Sequence, residues 1–250
     1  MWSAWVFASL YFPALQVAPL YLWYNQPRSQ TVYQRIAAPA VAAGMAGWAL
    51  RAALGLRAPG LAAACILPLA LTALLFAGPL VALAGSPGGV WQQRGAALPG
   101  LVRLRNWLAA PLLEEFLYRG CLISYLLAAR AGPGACVWLS PLLFAASHLH
   151  HLHDLTRFQG LPLGSALRAL AFQLSYTTAF GWLAAYYFVR TRHLAAAVLP
   201  HAFCNFVGPP ALPLPGSKHR RATTAAYAAG LLGFFCLLRP LTDPGLYGNT

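Results

Sequence analysis

The sequence predicts an all-α fold: a polytopic integral membrane bundle of about eight transmembrane helices, in a single domain over residues 1–250. Three observations carry that expectation. Apolar residues make up 59% of the chain. Charged residues make up 8%, against about 25% in an ordinary soluble domain. The few charges lie between long apolar runs, several of them long enough to cross a hydrocarbon layer, which takes about 20 residues. Inside that layer every backbone polar group needs an internal partner, so helices or closed barrels are the only spanning elements. These runs are too continuous for the alternating pattern of a barrel strand. A disordered chain and an ordinary soluble domain are both excluded.

In chain order, residues 1–27 carry no charge and form the first span. It lacks the basic start of a secretory signal peptide, so it is expected to be retained. A shorter run follows Arg35, and a long uncharged stretch lies between Arg57 and Arg94. Apolar segments then cover residues 112–129, 135–150, 169–189, 194–208 and 222–238. The connections at residues 85–89, 130–134 and 209–218 are rich in Gly, Pro and basic residues. They are too short to hold a second domain, and no internal repeat is evident. On this segmentation ten basic residues fall on one side (Arg28, Arg35, Arg94, Arg103, Arg105, Arg157, Arg168, Lys218, Arg220, Arg221) and six on the other. The basic excess favours the first side as cytosolic.

The net charge of +13 does not imply nucleic acid as a partner, because the basic residues punctuate apolar runs and form no dense cluster. The five cysteines occupy separate apolar segments with no CxxC spacing, as buried small hydrophobes do.

Acids are the scarcest chemistry. There are four, Glu114, Glu115, Asp154 and Asp243, and two of them are adjacent within an apolar run. An ionisable group at mid-membrane costs about 2.5–3.5 kcal/mol on insertion scales and is rare unless paired or used. Pro111 suits a helix first turn, which would place Glu114 and Glu115 near its positive end. Adjacent helical residues diverge, so the two glutamates do not form a dyad. Arg119 follows Glu115 by four residues, the favourable spacing for an ion pair. That pairing leaves Glu114 as a candidate general base, its proton affinity raised by desolvation. The plainer reading is two glutamates anchoring a helix start.

A second polar group is Ser147-His148-Leu149-His150-His151-Leu152-His153-Asp154, which holds four of the seven histidines. His148 is the deepest in its apolar segment. A catalytic imidazole followed by interfacial histidines, or a metal site, would each account for the cluster. The third group is His201 with Asn205, which share a helix face and can both donate to one oxygen. An interhelical hydrogen-bond pair is the alternative. Together these groups fit water-mediated peptide hydrolysis: Glu114 and His148 to activate water, His201 and Asn205 to stabilise the oxyanion.

The pattern Glu114-Glu115-xxx-Arg119, Phe144-xxx-His148 and His201-xxx-Asn205 resembles the type II CAAX prenyl endopeptidases, the Ras-converting enzyme family. The segment from Phe172 to Thr177 and the ending from Pro240 to Gly248 resemble its eukaryotic branch. The resemblance is strong over residues 107–250, with the catalytic motifs in 107–208, and mostly topological before that. It implies a multi-pass protease of the endoplasmic reticulum membrane. Its substrates would be the C-termini of farnesylated or geranylgeranylated CAAX proteins, Ras-like small GTPases among them, from which the last three residues are removed. The resemblance makes Glu114, His148, His201 and Asn205 catalytic and Glu115 and Arg119 supporting. It also implies a metal-independent reaction with no cofactor and a lipid bilayer as the surroundings.

Four other readings stand beside it, one being the bacterial branch of the same superfamily, which shares EExxxR and HxxxN and against which the eukaryotic-like ending argues. Glu114, His148 and His201 could ligate zinc, although no HExxH motif is present. A cysteine protease would need one of the thiols beside an imidazole. A transporter or channel would use Glu114 and the histidines as a proton path.

Overall fold

The computed structural model describes residues 55–85, 100–210 and 219–249. The first span and the run after Arg35 lie outside the described residues. Every described element is helical, and no strand occurs among the described residues. In chain order the α-helices are α1 (Leu61–Leu75), α2 (Ala77–Ala84), α3 (Gly100–Leu104), α4 (Ala110–Glu115) and α5 (Ser124–Ala128), then α6 (Pro133–Ala146), α7 (His151–His153), α8 (Leu163–Thr191), α9 (Ala195–Val207) and α10 (Arg220–Leu241). Between them lie three π-helical stretches, Arg105–Ala109, Phe116–Ile123 and Asp154–Phe158, and two 3-10 turns, Ser147–His150 and Pro244–Tyr247.

Two sequence expectations need correction. The stretch between Arg57 and Arg94 is not one straight helix. It breaks at Phe76, and α1 and α2 meet at 70°. Pro79 supplies the cause: it has no N–H to give the carbonyl of Leu75, and its ring would clash there. Leu75 is the last residue of α1. Pro111 likewise does not open a helix. It lies within a helical run that enters α4 from the π-helical stretch, where the wider turn accommodates a residue without an N–H. Glu114 and Glu115 therefore close α4 and lead into the next π stretch, away from any helix start.

Among the described residues, α10 alone is long and apolar enough to cross a membrane; α1 with α2 qualifies only as a bent pair. At 29 residues α8 has the length, but Gln173, Ser175, Thr177 and Thr178 lower its apolar character. Leu231, Leu232 and Phe235 on α10 are exposed, as side chains facing hydrocarbon would be.

The chain forms two compact units, one built on residues 113–189 and the other on residues 57–112 with 190–250. The core of the first is Leu117, Tyr118, Leu122, Ile123, Leu126, Cys136, Phe144 and Phe188. In the second, α10 packs along α1 and α2, and α9 along α1. Gly230 permits that approach, because a Cβ there would stand 2.3 Å from the carbonyl oxygen of Leu74.

The chain's end is tied into the second unit. Asp243 caps the last 3-10 turn by accepting from the Gly245 N–H at 2.9 Å. Arg190 Nε donates to the Thr242 carbonyl at 3.1 Å, and Asn249 Nδ2 to that of Thr191 at 2.7 Å. Arg57 donates to the Gly248 carbonyl at 2.9 Å. Tyr247 is fully buried, with its backbone against Gly60. At φ +76° Gly60 adopts a conformation that suits glycine, and a Cβ there would lie 2.5 Å from the Tyr247 backbone.

Candidate active site

The first polar group is built around Arg119. Its guanidinium is 1% exposed and Glu115 is 0% exposed. Arg119 Nη1 donates to Glu115 Oε1 at 3.0 Å, the ion pair that the spacing predicts. Its Nη2 donates to the carbonyl of Gly181 on α8 at 3.2 Å, and the guanidinium lies 4.6 Å from the centroid of the Phe144 ring. A charge this deep needs such satisfaction, since each buried ion costs several kcal/mol when left uncompensated. Glu114, beside this pair, is half-buried. It is not isolated, because its carboxylate acts through space on both Tyr118 and Arg119.

Phe144 joins this group to His148. Its ring meets Tyr118 edge-on at 5.1 Å and His148 edge-on at 4.9 Å. His148 is 9% exposed and is the second residue of the 3-10 turn that follows α6. His148 Nδ1 lies 2.9 Å from the Phe144 carbonyl, which can only accept. This assigns the proton of the neutral ring to Nδ1 and the lone pair to Nε2, the nitrogen that can take a proton or hold a water. Phe144 thus serves three roles: it stacks on the cation, packs against Tyr118 and orients the imidazole.

The third group lies in the other unit. His201 is buried on α9, directly after Pro200, and Asn205 is exposed. Asn205 Nδ2 donates to the backbone carbonyl of Asn106 in the first π stretch at 2.9 Å. One of the two amide N–H bonds is thereby fixed and the other is oriented with it. Trp107 and Phe206 meet edge-on at 5.1 Å beside this bond, and Phe76 and Phe203 at 5.7 Å.

Glu114, Glu115, Arg119 and His148 therefore belong to the unit built on residues 113–189, while His201 and Asn205 belong to the other. Within the first unit the structure brings Glu115, Arg119, Phe144 and His148 into one contact chain. Sequence reasoning missed Gly181 and Asn106, which act through backbone carbonyls and so leave no side-chain signal. Gly181 does carry a steric one, for a Cβ there would stand 2.8 Å from Pro141 Cβ and 3.3 Å from Arg119 Nη2. The five cysteines are all free thiols.

A family model described as type II CAAX prenyl endopeptidase Rce1-like matches residues 96–207. "CAAX prenyl protease 2" of Homo sapiens is 40% identical over 215 residues, covering 81% of this chain and 65% of that protein. The protein of the same name from Arabidopsis thaliana is 32% identical over 217 residues, covering 78% and 69%. That from Rattus norvegicus is 34% identical over 218 residues, covering 81% and 62%. The chain thus spans about two thirds of the length of these relatives. No solved structure matches.

Proposed function

The chain belongs to the Rce1-like family of type II CAAX prenyl endopeptidases, and from that premise we propose that it is a membrane endopeptidase that removes the C-terminal aaX tripeptide from prenylated CAAX proteins. The observation that carries the hydrolytic reading is the 2.9 Å contact of His148 Nδ1 with the Phe144 carbonyl, which leaves the lone pair of the neutral ring on Nε2. Glu114, on the helix turn anchored by the Glu115–Arg119 pair, is the partner base.

In this reading Glu114 and His148 orient one water and accept its proton as the oxygen attacks the scissile carbonyl. The carbonyl π electrons move onto oxygen, and His201 and Asn205 donate hydrogen bonds to that oxyanion. Collapse of the tetrahedral intermediate breaks the C–N bond, and the captured proton leaves with the amine of the tripeptide. The protein forms no covalent intermediate, and the residues named need no cofactor for these steps. Stabilising charge where it develops is commonly the largest single contribution in such reactions.

Substrates of the Ras-like class, a multi-pass arrangement of about eight spans, a single functional domain and residence in the endoplasmic reticulum membrane belong to the same proposal. A lipid-soluble prenyl tail beside a peptide bond that needs water suits a polar site set in an apolar bundle. The test is mass spectrometry of a farnesylated CAAX peptide incubated with the full chain in lipid vesicles. Loss of the terminal tripeptide is expected; an intact peptide, or cleavage elsewhere, overturns the reading. Proton flux without cleavage would restore the transporter reading. Loss of activity in a strong zinc chelator, recovered on adding zinc, would restore the metalloprotease.

A further inference from the structure

The proposed hydrolysis uses one histidine of the cluster at residues 148–153 and leaves His150, His151 and Asp154 without a role. We propose that these three side chains form a binding site for a single divalent transition-metal ion of the zinc class, separate from the hydrolytic centre.

The geometry is local and specific. One ring nitrogen each of His150 and His151 and one carboxylate oxygen of Asp154 all lie within 4.8 Å of one another. Among the described residues no other three His, Cys, Asp or Glu side chains group in this way. Consecutive residues of a regular α-helix point about 100° apart, yet the His150 and His151 rings stand 4.3 Å apart, tilted by 32°. The backbone makes this possible by passing from a 3-10 turn through α7 into a π-helical stretch between Ser147 and Phe158. Ligands around a tetrahedral zinc at about 2.0–2.1 Å stand about 3.4 Å from one another, so a closure of at most about 1.4 Å between side-chain ends now within 4.8 Å completes the set.

A second observation concerns how His150 is held. Its Nδ1 donates to the carbonyl of Ser147 at 2.6 Å. Metal-binding histidines characteristically give their other ring N–H to a carbonyl or carboxylate, which fixes the tautomer and makes the ligating nitrogen more basic. Here that bond places the lone pair of the neutral ring on Nε2. His151 and Asp154 already lean together, with Nδ1 and Oδ2 3.7 Å apart. All three residues are half-buried, which leaves a path for an ion and lowers the competition from water. Two imidazoles and one carboxylate suit zinc or its neighbours in the first transition row, with a fourth position for water. The lack of a thiolate disfavours Cu(I). His148 stays outside the set, because its ring nitrogens are not among the ligand atoms that group within 4.8 Å. The inference does not depend on peptide hydrolysis.

The test uses the tag-free full chain in lipid nanodiscs, stripped of metal with a chelator and desalted. It is titrated with Co²⁺ as a visible probe and then with Zn²⁺. One equivalent of Co²⁺ with tetrahedral absorption bands, displaced by Zn²⁺, is expected. The bands should disappear in His151→Ala/Asp154→Asn and persist in His148→Gln. Zn²⁺ should also raise the thermal midpoint of the unsubstituted protein, because an ion that binds only the folded chain stabilises it. This last measurement keeps the proposal open to refutation if the double variant fails to fold. Three results overturn it: no bound Co²⁺ and no midpoint shift, binding unchanged in the double variant, or binding lost in His148→Gln. The last of these would put the ion on the hydrolytic histidine instead.

Discussion

Arg119 is the residue on which the first polar group depends, and it separates structural from chemical roles for the adjacent glutamates. Glu115 neutralises it from within the same helical run, while Gly181 and Phe144 complete its surroundings. Glu115→Gln leaves a buried guanidinium without its counter-charge and is expected to cost about 3–5 kcal/mol of stability. The double variant Glu115→Leu/Arg119→Met should recover much of that loss, because it removes both charges together. Thermal midpoints of the two variants decide this, and equal losses would show that the pair is not the source. Glu114→Ala and His148→Ala should instead leave stability nearly intact and lower turnover of a prenylated peptide by about 10²–10⁴, the scale of a lost general base. Asn205→Ala should lower kcat by about 10²–10³ with little change in KM, as for one oxyanion donor. At this scale the sequence was informative, since i,i+4 spacing was enough to pair Arg119 with Glu115. Spacing could not show that the Glu114 charge also acts through space on Tyr118 and Arg119.

The elements carry the distortions that the polar groups need. Each of the three groups lies beside or within a π-helical stretch: Arg119 inside one, Asp154 at the start of another, and Asn205 bonded to Asn106 in the third. Such wide turns often mark functional sites, since they redirect side chains that a regular helix would hold at fixed angles. Apolar runs announce a helix but do not distinguish α from π, which explains why the runs were legible and these turns were not. The break at Phe76 was legible in principle, through Pro79 and its clash with Leu75, but the absence of charge from Arg57 to Arg94 outweighed that signal. The contact between α6 and α8 gives a test at this scale. Gly181→Ala would press its methyl group to 2.8 Å from Pro141 Cβ, a rigid neighbour, and to 3.3 Å from the Arg119 guanidinium. Overpacking of this kind costs about 1–3 kcal/mol. The expected result is a lower thermal midpoint together with reduced turnover, as Arg119 shifts on its carbonyl. An unchanged midpoint would mean that α6 and α8 part without cost.

Across the whole molecule the four acids occupy four different settings: Glu115 fully buried against Arg119, Glu114 half-buried beside that pair, Asp154 next to the histidine cluster, and Asp243 capping the final turn. Seventeen basic residues against so few acids leave most cations to be satisfied by carbonyls, water or lipid. The chain's end shows the first solution, with Arg57 and Arg190 bound to backbone oxygens of the tail. His193 lies between α8 and α9, fully buried, and its ring meets that of Tyr247 at 6.4 Å. Neither ring nitrogen makes a hydrogen bond of normal geometry among the described residues. Burial holds its pKa below the ordinary imidazole value, nearby Arg57 acts in the same direction, and the backbone at Tyr247 and Pro59 opposes them in part. The sign of the resulting pH dependence follows directly. The folded chain keeps the ring neutral at pH values where the unfolded chain has already bound a proton. The contribution to stability is therefore fully present above about pH 6.5, the unfolded value, and is lost as the pH falls through the depressed folded value. The chain holds seven histidines, so the informative measurement is a difference: thermal midpoints of the unsubstituted chain and of His193→Gln between pH 5 and 8. The unsubstituted chain should lose stability more steeply below about pH 6.5. Parallel curves would mean that a charged imidazole is tolerated at the tail. Removing residues 242–250 should abolish the same difference, because it takes away Tyr247, whose ring and backbone stand beside His193.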